Sequence, residues 1–102
     1  MAAETIDEIT VNYEQDGVQL VKEVEKHVLT RGAWTTIMFL YQDLDRNTKD
    51  FGPEKVTIRR YKKIRGEYRQ QNKFNISNRE QARKIRDVLE QWFQFGQEAT
   101  ES

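Results

Sequence analysis

Between Lys55 and Lys73 the chain places eight cations, Lys55, Arg59, Arg60, Lys62, Lys63, Arg65, Arg69 and Lys73, against one acid, Glu67. Tyr61 and Tyr68 sit among them, and Gly66 interrupts the run. Guanidinium and ammonium groups neutralise phosphates and release their counterions. Aromatic rings offer faces on which unpaired bases stack. Two basic strands joined at a glycine turn therefore suit a nucleic-acid strand. The ordinary alternative is a solvated sheet face whose charges only keep an edge soluble.

Other chemistries find little support. His27 is the only histidine, and it lies in a Lys/Glu-rich stretch with no relay motif around it. There is no cysteine, which excludes disulfides and thiolate ligands. No His/Asp/Glu spacing resembles a metal site, and no Gly-rich phosphate loop is present. Asp43, Asp45 and Asp50 lack the spacing and final glutamate of a calcium loop. The expectation is a protein that is not an enzyme and uses no cofactor or metal.

These side chains need a scaffold, and 102 residues are enough for one domain. The core is modest, with 36% hydrophobic and 33% charged residues. Net charge is zero but unevenly spread: residues 1–30 carry seven acids and two bases, residues 31–76 eleven bases and five acids. The acidic segment suggests a self-shielding arm or a separate contact. No apolar run approaches a membrane span, and the N-terminus is acidic, so neither secretion nor membrane insertion is expected. The expected location is cytoplasmic, nucleoid-associated, or nuclear.

Along the chain, residues 1–17 read as an acidic leader, either disordered or adding an edge strand. Val18–Thr30 favours a strand through its β-branched content, although its Lys/Glu mixture also suits a helix. Trp34–Leu44 is the clearest strand, covered on both faces. Asp43–Glu54 is a polar loop. Val56–Ile64 and Tyr68–Ile76 alternate around a turn at Arg65-Gly66-Glu67. Period-two geometry then projects Thr57, Arg59, Tyr61 and Lys63 with Arg69, Gln71, Lys73 and Asn75 onto one wet face. Arg60 and Lys62 fall on the other side. Ser77 with Glu80 reads as a capping box opening a helix. Its stripe of Ala82, Ile85, Val88, Leu89, Trp92 and Phe93 must cover the sheet. Ile85, Leu89, Trp92 and Phe93 also suit a two-fold contact. Gly96 stops the helix, and 97–102 form a disordered tail.

The run from Ile58 onward resembles the single-stranded-DNA-binding domain of the positive cofactor four family of transcriptional coactivators. Ile58-Arg59-Arg60-Tyr61 looks like that family's Ile-Arg-Glu-Tyr. Gly66-Glu67, Lys73, and Asn78-Arg79-Glu80-Gln81 follow its Gly-Glu, Lys and Asn-Pro-Glu-Gln at the same spacings. The similarity spans roughly Ala33 to Trp92. It implies an α+β fold, a curved four-stranded antiparallel sheet followed by a C-terminal helix, forming a homodimer with channels for single strands. It gives Arg59 and Lys73 a DNA-contact role. Lys62 replaces the family tryptophan and Arg60 an acid, which moves binding from stacking towards phosphate contact; Trp34 and Tyr41 could supply rings instead. The acidic leader does not resemble the family's Ser/Lys-rich arm.

The expected function is non-enzymatic binding of single-stranded DNA with low sequence specificity. The processes it would support are transcription, replication, recombination or repair, with their machinery as partners. RNA binding is the alternative within nucleic acids. A protein-interaction module docking an acidic partner, through β-edge addition, is the alternative outside them.

Overall fold

The computed structural model describes residues 3–98. Five strands follow one another: β1 (Tyr13–Gln15), β2 (Val18–Thr30), β3 (Trp34–Asp43), β4 (Lys55–Ile64) and β5 (Glu67–Ile76). They pair antiparallel in the spatial order β1-β2-β3-β4-β5, a simple meander. Two helices close the chain, α1 (Arg79–Phe93) and the single turn α2 (Phe95–Glu98). The fold is thus α+β, with five strands where the sequence suggested four. The fifth is β1, contributed by the acidic leader. Val18–Thr30 is a strand despite its Lys/Glu mixture, because pairing with β3 along its length outweighs local helix propensity.

Tight turns hold the hairpins in register. Asp16-Gly17 joins β1 to β2 with φ of 53° and 79°, and Arg65-Gly66 joins β4 to β5 with φ of 53° and 81°. Paired left-handed residues match the twist of the flanking strands. A Cβ on Gly66 meets nothing within 4 Å, so the only obstacle to a side chain there is its φ. Gly66→Ala is expected to cost about 1–2 kcal/mol through backbone strain. Urea unfolding of the variant measures it, and an unchanged midpoint contradicts the assignment of strain.

Bulges curl the sheet, between Glu23 and Glu25 and between Val28 and Thr30 on β2, and at Arg60/Tyr61 in the β4–β5 ladder. The concave face is not open. From Ala3, which pairs with Tyr68 on the outer edge of β5, the leader crosses the sheet as an arm to β1 beside β2. Ile9 and Val11 of this arm are buried, and they form the core with Ile37, Phe39 and Tyr61. β2 side chains hold the arm in place. Lys26 Nζ donates to the carbonyls of Ile6 and Ile9 at 2.7 and 2.6 Å. Glu23 Oε1 accepts from the Thr10 hydroxyl at 2.7 Å, and the Glu23 N–H donates to Asn12 Oδ1 at 2.7 Å.

The helix departs from expectation at both ends and along its side. Asn78, not Ser77, is the N-cap: its Oδ1 accepts from the Gln81 N–H at 2.8 Å. The Gln81 side chain reaches back to the Ser77 N–H at 2.8 Å, while Glu80 turns to Arg83. Gln94 in the left-handed conformation (φ 50°) ends α1 before Gly96. Residues 99–102, the greater part of the expected tail, lie outside the described residues. The helix does not cover the sheet. Only its start, at Arg79 and Ala82, lies near Val56 and Ile76, and no residue of α1 is buried. The Cα radius of gyration is 16.4 Å, against about 13 Å for a compact chain of this length.

Candidate nucleic-acid interface

β4 and β5 position the cations. Thr57 stands opposite Asn75, and Arg59 opposite Lys73. These four residues share the concave face with Thr35, Ile37 and Phe39 of β3. The ladder then slips. Arg60 pairs with Asn72, but Tyr61 pairs with Gln70, leaving Gln71 as the extra residue of a bulge. Beyond it, Lys63 stands opposite Tyr68 and Lys62 opposite Arg69.

The bulge corrects the face predicted by strict alternation. Arg59, Tyr61, Lys63 and Lys73 remain together. Arg69 moves to the register of Lys62, on the other face, and Gln71 occupies the bulge. Gln70 takes the place expected for Gln71, and its Oε1 accepts from Arg59 Nη1 at 3.1 Å. Asn75 turns to Thr57, accepting from its hydroxyl at 2.7 Å.

Nor is the concave face wholly wet. Thr57 is fully buried and Tyr61 is 6% exposed, because Ile9 and Val11 lie over this part of the sheet. Burial raises the Tyr61 phenol above its usual pKa, a shift that the neighbouring Arg59 charge opposes. A ring so covered is no free stacking platform. The ring beside the exposed cations is Tyr68, with Lys63 Nζ 5.3 Å from its centroid and its hydroxyl donating to the Gly32 carbonyl at 3.3 Å.

The convex face carries a second basic group. Trp34, 43% exposed, lies opposite Lys62. The Arg60 guanidinium is 4.5 Å and Lys62 Nζ 5.2 Å from its ring centroid. The cations therefore surround the β4–β5 hairpin and do not fill a single trough. Further along this face, Met38, Ile58 and Phe74 lie side by side, and Phe74 is exposed.

Among the described residues, most cations of the hairpin have no carboxylate beside them. Lys55 pairs with Asp43, Arg69 with Glu67, Arg83 with Glu80, and Arg86 with Asp87. Among the described residues, Arg59, Arg60, Lys62, Lys63 and Lys73 have no carboxylate partner. Arg59 and Lys73 are moreover directly opposed, an arrangement of like charges that costs stability.

The expected dimer residues form one exposed stripe. Leu89, Trp92 and Phe93 are exposed, with Val88 and Phe95 beside them, and Ile85 is half-buried. Phe93 and Phe95 stack with centroids 5.9 Å apart.

Elsewhere, His27 and Glu25 are exposed and 3.5 Å apart. Asp45 Oδ1 accepts from the Asn47 N–H at 2.8 Å and so shapes the polar loop. Among the described residues, no three His, Asp or Glu side chains gather as a metal site, and no helix is long and apolar enough to cross a membrane. No family model, curated protein or solved structure matches the chain.

Proposed function

We propose that this protein binds single-stranded DNA, with low sequence specificity and without catalysing a reaction, as a homodimer. The observation that carries the reading is the cluster on one hairpin of a neutral protein of Arg59, Arg60, Lys62, Lys63 and Lys73, which have no carboxylate partner among the described residues. Arg59, Lys63 and Lys73 meet phosphates on the concave face. Tyr68, rather than Tyr61, is the ring beside them. Arg60, Lys62 and Trp34 offer a further contact round the hairpin. The resemblance to the positive cofactor four family, in which Arg59 and Lys73 match DNA-contacting positions, points the same way. The mechanism is passive: a protein that prefers the unpaired strand draws the melting equilibrium towards it, which favours processes that open DNA.

Two incomplete apolar surfaces support the dimer. The α1 stripe and the convex strip of Met38, Ile58 and the exposed Phe74 are not covered by any element among the described residues. A second copy supplies a counterpart to each, and a two-fold arrangement closes both at once.

A fluorescence-anisotropy titration compares a labelled single strand, its duplex, and the matching RNA at several salt concentrations. We expect the DNA single strand to bind best, with log K falling against log salt by about 0.7 per phosphate contacted. Equal affinity for duplex, or no salt slope, refutes the reading. A preference for RNA moves the assignment to RNA binding. Capture of an acidic protein that survives nuclease, with no strand bound, moves it to a protein-docking module.

A further inference from the structure

A pocket of about 360 Å³ opens between the arm and the β4–β5 hairpin. Arg59, Arg69 and Gln70 line it from the sheet, Glu8 and Thr10 from the arm, and Tyr68 lies between them. One wall is therefore basic and the other carries a carboxylate. The two walls do not neutralise each other, for Glu8 makes no ion pair among the described residues.

The arm is anchored beside the pocket, where Ala3 pairs with Tyr68, and also from within and from β2. Glu8 Oε1 accepts from the N–H groups of Glu4 and Thr5 at 3.0 and 2.9 Å and from the Thr5 hydroxyl at 3.1 Å. These bonds keep Glu8 ionised, with its pKa below the usual carboxylate value. Its other oxygen, Oε2, has no partner among the described residues. Lys26 and Glu23 fix the neighbouring backbone from β2. The carboxylate wall is thus in place before any ligand arrives, which spares the ordering cost of binding.

The geometry points to a site for a single nucleotide of the bound strand, read by Glu8 from the arm. The inference rests on the single-strand reading above and adds base preference to it. A nucleotide matches both walls, with an anionic phosphate for Arg59, which has no carboxylate partner among the described residues, and a base edge for the carboxylate. The bases differ sharply towards a carboxylate. Guanine presents adjacent N1–H and N2–H donors. Cytosine and adenine present one amino group each. Thymine has a single N3–H flanked by carbonyl oxygens, which a carboxylate repels. Gln70 keeps its side-chain N–H groups for the base carbonyl, since only its Oε1 is engaged by Arg59. The preference expected is guanine first and thymine last.

The test places one dG, one dI or no substitution in a dT tract and measures affinity for the full chain. Inosine lacks the 2-amino group and so removes one donor without changing the protein. Guanine is expected to raise affinity about five- to tenfold over dT, with inosine between them. Glu8→Gln, which can still accept the Thr5 bonds, should bind dT somewhat more tightly, because the carboxylate that repels thymine is gone, and should reduce the guanine advantage to about twofold or less. Equal binding of the three strands overturns the inference and leaves the single-strand reading standing. A guanine preference that persists in Glu8→Gln removes Glu8 as the reader and overturns it as well. No binding of any strand removes the reading on which it rests. Should Glu8→Gln not fold, the dG-against-dI comparison on the unaltered protein decides alone.

Discussion

Replacing Lys73 by alanine is expected to weaken single-strand binding about tenfold at moderate salt, for every sequence alike, because a charge-assisted phosphate contact contributes about 1.5 kcal/mol or more. Arg59→Ala should do the same. The salt slope should fall by roughly one unit for each cation removed. The double variant should fall short of the product of the two. The residues are directly opposed, and removing one relieves repulsion felt by the other. Stability supplies the control. Opposed like charges across a strand pair destabilise it by a few tenths of a kcal/mol, so Lys73→Ala should unfold at the same temperature or slightly higher. A residue retained for structure loses stability when truncated; one retained for a ligand loses affinity. If Lys73→Ala binds unchanged the proposed interface fails, with an earlier melt assigning Lys73 a structural role and an unchanged melt a merely solvated one. Arg59 is a less clean probe, since its guanidinium also bonds Gln70 and lies 3.5 Å from the Thr57 hydroxyl.

Much of this arrangement could be read from the chain, and the failures share a cause. β3, β4 and β5 fall where alternation and β-branched residues put them, and the turn falls at Gly66 because both flanking patterns end there. The bulge at Gln71 was not legible. Arg69-Gln70-Gln71-Asn72-Lys73 is polar throughout, so no apolar residue marks which side chains face inward, and an inserted residue leaves no trace. The arm was half legible. Ile9, Val11 and Tyr13 alternate, and Asp16-Gly17 is a hairpin signature. What covers the concave face is a contact between Ile9 and strands far along the chain, which no local pattern carries. Ser77 and Asn78 are both good caps, and only the bond to the Gln81 N–H distinguishes them. The apolar stripe of α1 was plain, but amphipathicity states that a face needs cover without saying which surface provides it.

That uncovered stripe makes the second large effect. Trp92 and Phe93 are 70% and 59% exposed, on a helix that stands off its own sheet. Large exposed apolar surface of this kind marks an interaction site. Trp92→Glu places a charge at the centre of the stripe, where burial against a second copy is incompatible with it. Light scattering should then report the 12.2 kDa chain in place of a species of twice that mass. The binding consequence depends on strand length. In a dimer, a strand long enough to reach both β4–β5 hairpins gains from the second site by effective concentration, about 100-fold or more in favourable geometry. Trp92→Glu should lose that gain on long strands and leave short strands, which contact one hairpin, bound as before. This separation matters because α1 contributes no cation to the β4–β5 interface. Loss on short strands as well would show that the helix shapes the hairpin interface itself. A variant that remains dimeric would move the interface off α1, leaving the convex strip of Met38, Ile58 and Phe74 as the surface that meets the second copy.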